Sequence, residues 1–256
     1  RIYVGFVGDG TSGIYIWGAQ LEQSSTVGEY VKTTSTINSA PRFDHDQETG
    51  ESLGLLVEES RTNLISNSED ITGYFTEQNS TSTSNATTAP DGTVTADSNV
   101  PNTTLGTHTS FYSALTFSAN TTYSYSIFVK PNGYTWLQLL FTSGFNNLTA
   151  WVNFNLTGSG SFGFTGGGEL SKDIQAYADG WYRCTLTATS GSSSSFGGPA
   201  YVVLDSDRNS RDAHYAANDT SGIYLWGAQL EEGSFPTSYI RTSGSTVTRA
   251  ADITQI

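Results

Sequence analysis

Cysteine, methionine and charge are what this chain has least of. A single cysteine, Cys184, excludes an internal disulfide framework. No methionine occurs among the 256 residues, so the sequence reads as an internal or processed piece. Charged residues make up 14%, well under the level of about 25% usual for soluble domains. The charge that exists is one-sided: 24 acidic against 11 basic residues, a net charge of −13. Nucleic-acid binding needs a basic footprint that displaces counterions, and this balance excludes it. An anionic membrane surface is disfavoured for the same reason. No apolar run approaches the ~20 residues of a membrane span, so no membrane insertion is expected, and no signal peptide is visible.

Serine, threonine, asparagine and 27 glycines fill the space that charge leaves, and 12% of residues are aromatic. High polarity without high charge, combined with many aromatics, reads as strands and turns rather than disorder. Short apolar runs alternate with turn signals. Strands are expected over Tyr123–Lys130, Tyr134–Phe141, Ala150–Leu156, Trp181–Ala188, Tyr201–Asp205 and Ile223–Leu230. Pro131-Asn132-Gly133, Gly158-Ser159-Gly160, Gly166-Gly167-Gly168 and Asp179-Gly180 separate them. No convincing 3.6-residue pattern is present, so the expected class is an all-β sandwich. Residues 76–110 are polar and resist parsing.

One stretch occurs twice. Ile14-Tyr15-Ile16-Trp17-Gly18-Ala19-Gln20-Leu21-Glu22 returns as Ile223-Tyr224-Leu225-Trp226-Gly227-Ala228-Gln229-Leu230-Glu231, and Thr11–Thr33 aligns with Thr220–Thr242. A fixed-period echo marks tandem units. Strict alternation would put Tyr224, Trp226, Ala228 and Leu230 on one face, and Ile223, Leu225, Gly227 and Gln229 on the other. Trp17, Trp181 and Trp226 fall in framework words and are assigned to the core. Four segments follow: 1–34 as the last strands of a preceding unit, 35–63 as a connector, 64–241 as a complete sandwich, and 242–256 as the start of the next connector. Arg42–Asp46 and Leu53–Glu58 are expected to form a hairpin with Gly50 at positive φ. Arg1–Glu22 alone is too small to be stable and should pack on the full domain or a neighbouring subunit.

Gly50-Glu51-Ser52-Leu53-Gly54 fits G-x-S-x-G, but a strand follows where a nucleophile elbow needs a helix. Gly158–Gly163 fits G-x-G-x-x-G with no helix to supply a phosphate-binding N-terminus. Cys184 shares a face with Tyr182, Leu186 and Ala188 and is expected to be a buried apolar residue, not a nucleophile. Asp205-Ser206-Asp207-Arg208-Asn209 spaces oxygens like a calcium loop, but the sixth-position glycine is missing and Ala216 stands where a closing acid belongs. A solvated turn is the better reading there. No carboxylate pair suited to glycoside hydrolysis is identifiable, so no catalytic residues and no enzyme activity are expected.

The arrangement best suited to recognition is a set of aromatics and amides on adjacent strands: Tyr134, Trp136 and Gln138, beside Trp151 and Asn153. Ring faces meet sugar C–H groups while amides bond hydroxyls. The competing assignment is that these rings fill the core, as strand aromatics usually do.

The ending Tyr224–Asp252 resembles that of jelly-roll modules common in bacteriophage structural proteins, especially tail and fibre proteins of marine phages. Pro41–Asp46 through Gly50–Leu64 resembles the connector before such modules, and Phe128-Val129-Lys130 and Trp181-Tyr182-Arg183-Cys184 match their interior. The resemblance implies a jelly-roll, carbohydrate-binding-module-like sandwich in a virion appendage. It also implies self-association as a homotrimer, other virion proteins as partners, and contact with host-surface polysaccharide. Similar modules sometimes hold a structural calcium. The alternative expectation is a carbohydrate-binding module of a secreted glycan-active enzyme.

Overall fold

The computed structural model describes residues 42–252, apart from 48, 113–114, 143–144, 146 and 193–194. The first copy of the repeated stretch, with Trp17, lies outside them, as does the expected Arg1–Glu22 pairing. The described residues open with β1 (Arg42–His45) and β2 (Ser52–Leu56), followed by β3 (Arg61–Asn63) and a helical turn, α1 (Ile71–Tyr74). Then come β4 (Thr76–Gln78), β5 (Ser80–Thr87), β6 (Ala96–Pro101), β7 (Thr109–Phe111) and β8 (Leu115–Phe117). The central strands are β9 (Thr122–Asn132), β10 (Trp136–Phe141), β11 (Trp151–Asn155), β12 (Ser161–Thr165), β13 (Ser171–Ala176) and β14 (Tyr182–Thr189). The last are β15 (Ser195–Gly197), β16 (Pro199–Leu204), β17 (Gly222–Glu232) and β18 (Val247–Arg249).

Two six-stranded antiparallel sheets face each other, consistent with a jelly-roll sandwich. The front sheet runs β12-β11-β10-β16-β7-β4 and the back sheet β13-β14-β9-β17-β6-β5. Between them lie Tyr125, Ile127 and Val129 of β9, Leu137, Leu139 and Phe141 of β10, Val152 and Phe154 of β11, and Tyr201 and Val203 of β16. Alternation explains the choice, since every second residue of a strand points to the same face. Each fully buried large apolar side chain of this set contributes about 1.5–3 kcal/mol. Phe141 and Phe145 stack at 3.9 Å between centroids, and Phe117 meets Phe145 edge-on at 4.8 Å. Cys184 is fully buried in the same core, and burial pushes its thiol well above the ordinary value.

Strict alternation fails in β17, and the reason is local. Trp226 pairs with Phe128 and Gln229 with Ser126, so Gly227 and Ala228 together oppose the single residue Ile127. This is a β-bulge, and Gly227 takes φ +63°, open to glycine at little cost. The bulge reverses the faces beyond it. Ile223, Leu225, Ala228 and Leu230 point into the core, whereas Gln229 and Glu231 lie with Tyr224 and Trp226 on the outer side. Trp226 and Trp181 are buried, but in a second cluster with Ala89, Ala96 and Phe128 on the outside of the back sheet.

The polar stretch 76–110 forms four strands, β4 to β7. Its buried acid Asp97 explains why no apolar pattern was needed. One Asp97 carboxylate oxygen accepts from the Ile71 and Thr72 amides at 2.8 and 3.2 Å, the other from the Asn85 amide at 2.9 Å. Asp97 therefore ties α1 and β5 together through hydrogen bonds.

Residues 233–252 fold back over the outside of the back sheet. β18 pairs with β3, placing Thr248 opposite Thr62. Glu231 accepts from the Thr237 amide at 2.8 Å, its hydroxyl at 2.6 Å and the Gln229 amide at 2.9 Å. The β1–β2 hairpin is antiparallel, with Gly50 at φ +73°.

Candidate functional site

Trp136, Gln138 and Leu140 of β10 alternate with the core residues of that strand and so face outward from the front sheet. Trp151 and Asn153 do the same on β11, with Gln138 directly opposite Asn153 in the register. The expected juxtaposition of amides and rings therefore exists, but solvent does not reach most of it. Gln138 and Asn153 are fully buried, and Trp151 is 7% exposed. The segment 205–215 lies over them as a strap. The Gln138 amide donates to Asn153 Oδ1 at 2.8 Å and to the Ser210 carbonyl at 3.0 Å, while its oxygen accepts from the Asp212 amide at 2.9 Å. Asn153 donates to Asp207 Oδ1 and the Arg208 carbonyl, both at 2.8 Å. Every hydrogen-bonding group of the two amides is thus engaged, either with the strap or with the other amide.

The aromatics are engaged as well. Trp151 packs with Leu140, Ala200, Val202, Leu204 and Ala213, with Trp136 half-buried at the margin. A Cβ on Gly166 would lie 2.3 Å from the Trp151 indole nitrogen, so the backbone of the 166–168 turn covers that ring. Tyr134 is half-buried at the strap's far end, its ring 6.2 Å from Tyr215 and edge-on.

The calcium-like stretch is the first part of this strap, and its two aspartates accept from protein donors. Asp205 forms a salt bridge with Arg208 at 2.6 Å, which holds its carboxyl below the usual range. Asp207 Oδ1 accepts from the Phe164 amide at 3.0 Å as well as from Asn153. Among the described residues no group of three or more His, Cys, Asp or Glu converges on a metal site. Ser52 of the G-x-S-x-G stretch lies at the start of β2 in a hairpin, not on a strand-to-helix turn.

Beside the strap the same outer face is open. A groove of about 470 Å³ runs across β10, β16, β7 and β4. Leu140, Ala200 and Phe111 form its floor; Gln78 and Thr109 rise from the strands and Thr142 from just past β10, and Arg211, Asp212 and His214 of the strap form one wall. Two of its polar side chains are uncommitted: those of Gln78 and His214 are exposed and make no hydrogen bond among the described residues. The Arg211 Nε has no partner either, although the other guanidinium nitrogens reach Asp212 and, at 2.6 Å, the Phe141 carbonyl. Thr107 donates to the Asp212 carbonyl at 2.9 Å and anchors the wall. An apolar floor with a convergent open amide and imidazole is the chemistry of a small-ligand site. These residues were missed from sequence because Gln78 and Phe111 bracket the unparsed region. Arg211 and His214 belong to a loop whose position no pattern announces.

A second, smaller cleft of about 290 Å³ is lined by Glu69, Asp70, Asp97, Arg241 and neighbouring hydroxyls. Burial pushes the Glu69 and Asp97 carboxyls up, against the opposing pull of Arg241 on Glu69 and of three backbone amides on Asp97. Both already have partners: Glu69 pairs with Arg241 at 2.9 Å, and Asp97 accepts the three amides described above.

No protein-family model matches the chain, and no curated protein matches it. A solved structure with some likeness is that of the N-terminal CBM22-1–GH10 modules of Clostridium thermocellum endo-1,4-β-D-xylanase 10B, complexed with xylohexaose. It shares 12% identity and a TM-score of 0.36 over 72% of this chain and 30% of that one, so the match spans under a third of the xylanase chain.

Proposed function

We propose that the chain is a non-catalytic glycan-binding module and that the groove beside the strap takes a saccharide. The observation that carries this reading is the combination of Phe111 and Leu140 on the groove floor with the unbonded Gln78 and His214 at its margins. A pyranose presents C–H groups to an apolar ring and hydroxyls to the sides, so it satisfies both surfaces at once. The net charge of −13 favours a neutral sugar over a polyanion. The amides suggested by sequence, Gln138 and Asn153, act one step away by fixing the wall that carries Arg211 and His214. Placement in a virion appendage rests on the sequence resemblance alone. In that setting the same groove would meet host-surface polysaccharide.

A glycan array followed by calorimetric titration tests the reading. Binding to neutral oligosaccharides is expected, weakened roughly tenfold by Phe111→Ala, since a ring–sugar contact is worth about 1 kcal/mol or slightly more. Failure of the array to register any saccharide, or binding unaffected by Phe111→Ala and Gln78→Ala, would overturn it.

A further inference from the structure

On the outer side of the back sheet, three buried side chains bring a nucleophile, a base and an acyl group together. Gln229 and Glu231 are fully buried and Thr237 is 2% exposed. The bulge at Gly227 turns Gln229 and Glu231 to this side of β17, under the returning segment that carries Thr237. Glu231 Oε1 accepts from the Thr237 hydroxyl at 2.6 Å, and its other oxygen accepts from the Gln229 side-chain nitrogen at 2.9 Å. A single carboxylate therefore touches both the hydroxyl and the carboxamide nitrogen. That nitrogen also donates to the Thr237 carbonyl at 3.2 Å, which lays the carboxamide along the same turn. The carboxamide oxygen accepts from the Ile240 amide at 2.6 Å, a backbone donor of the kind that stabilises an oxyanion. Arg183 donates to the Thr237 carbonyl at 2.8 Å and holds that residue's backbone in place.

We propose that these groups react, and that the folded chain carries an ester bond between Thr237 and Gln229. The Thr237 hydroxyl oxygen attacks the Gln229 side-chain carbonyl carbon while Glu231 takes its proton. The Ile240 N–H meets the oxyanion that forms on the tetrahedral carbon. Collapse breaks the bond from that carbon to the side-chain nitrogen. Glu231 hands the proton through its other oxygen to the nitrogen, which leaves as ammonia. The carboxylate is regenerated and no oxidant or co-reactant is consumed; a carbon–oxygen bond has replaced a carbon–nitrogen bond. Fixed position offsets a weak nucleophile and a poor electrophile, because neighbours held in place react as if at very high concentration. Burial keeps out the water that would hydrolyse the product. A network serving only to satisfy buried polar groups could use any pairing, whereas this one sets hydroxyl and departing nitrogen on the same base. The bond ties the returning segment to β17 and removes freedom from the unfolded chain, as any cross-link does. The first copy of the repeated stretch supplies a contrast: it has Gln20 and Glu22, but Gly28 stands where the second copy has Thr237. Each chain can therefore lose only one ammonia by this route. The inference is independent of the saccharide reading.

Intact-mass spectrometry of the full chain, denatured after incubation in the folded state, tests it. A mass one ammonia below that of the sequence is expected, with the deficit in a fragment that joins Gln229 to Thr237. Hydroxylamine, which opens esters, should release that link in the unfolded protein. Thr237→Ala and Glu231→Gln should each keep the full mass, with the unfolding midpoint confirming that they are folded. Thr237→Ser retains a hydroxyl and should lose ammonia again. Unaltered protein at its full sequence mass overturns the inference, whatever the variants do. So does a deficit that persists in Thr237→Ala or Glu231→Gln, or one that maps to a fragment lacking Gln229.

Discussion

Gln138 donates to Asn153 across two neighbouring strands at 2.8 Å, and both residues are fully buried beneath the strap they hold. The pair reaches the strap at Ser210 and Arg208, so it couples the middle of the front sheet to the wall of the groove. Replacing Asn153 by Ala leaves Gln138 and Asp207 short of a partner inside the protein, at a cost of about 1–3 kcal/mol. The expected result is a lower midpoint in urea together with weaker saccharide binding. Phe111→Ala should show the reverse balance, losing binding with little loss of stability. Urea unfolding and calorimetry on the same two variants check the contrast, and equal effects on both readouts would count against it.

The entry and exit of the module are clamped by charge. Arg42 binds Asp252 through a bidentate contact with one bond of 3.1 Å, and Glu58 lies 2.9 Å from Arg42 and 3.1 Å from Arg249. Burial pushes Glu58 up, but hydrogen bonds from Ser238 and the charges of Arg249 and Arg42 outweigh it and hold the carboxyl below its ordinary value. The Arg42 hydrogen bond depresses Asp252 likewise. For depressed acids the stabilisation is complete above the unfolded pKa and disappears as pH falls through the folded one. Thermal midpoints should therefore drop on acidification below about pH 4.5. Glu58→Gln should lower the midpoint at neutral pH and flatten that drop. Asp97 works in the opposite sense: its folded pKa is raised, so protonation on acidification favours the native state. Asp97→Asn should make the acid loss steeper.

Two glycines with the same backbone sign should respond differently to a methyl group. Gly50 has φ +73° and open space around an added Cβ. Gly227 has φ +63°, but its Cβ would come 2.9 Å from the Phe128 ring and 3.3 Å from Tyr239. Gly50→Ala should cost about 1–2 kcal/mol through the backbone alone. Gly227→Ala adds overpacking of about 1–3 kcal/mol to a similar backbone cost. Urea midpoints of the two variants decide the order.

Cys184 should be chemically silent in the folded protein. It is fully buried between the sheets, and its thiolate is disfavoured by burial. A thiol reagent is expected to react fully only after unfolding. Cys184→Ser should destabilise more than Cys184→Ala, because a hydroxyl in this apolar site has no partner. Rapid labelling of native protein would contradict this placement.

Much of the sandwich was legible because alternation dictates which strand residues meet water. Tyr123–Lys130 and Trp181–Ala188 coincide with β9 and β14 to within a few residues. β5 and β6 were illegible because their buried positions are polar: Asp97 accepts from three backbone amides and Asn99 donates to Ser80 and Ser82, and no hydropathy pattern records such bonds. For the site, the face carrying Trp136 and Gln138 was readable. Its cover was not, since Gln138 and Ser210 lie 72 positions apart.

The sequence by itself determined the class of the fold, the buried thiol and the glycine turn of the hairpin, because each follows from neighbours two or three residues away. Only the tertiary structure decided which amides are spent and which are free. It also decided which way β17 faces beyond Gly227, and that Arg42 meets Asp252. Those outcomes depend on groups far apart in the chain competing for the same hydrogen-bond donors, acceptors and space, and that competition is resolved only when the sheets are assembled.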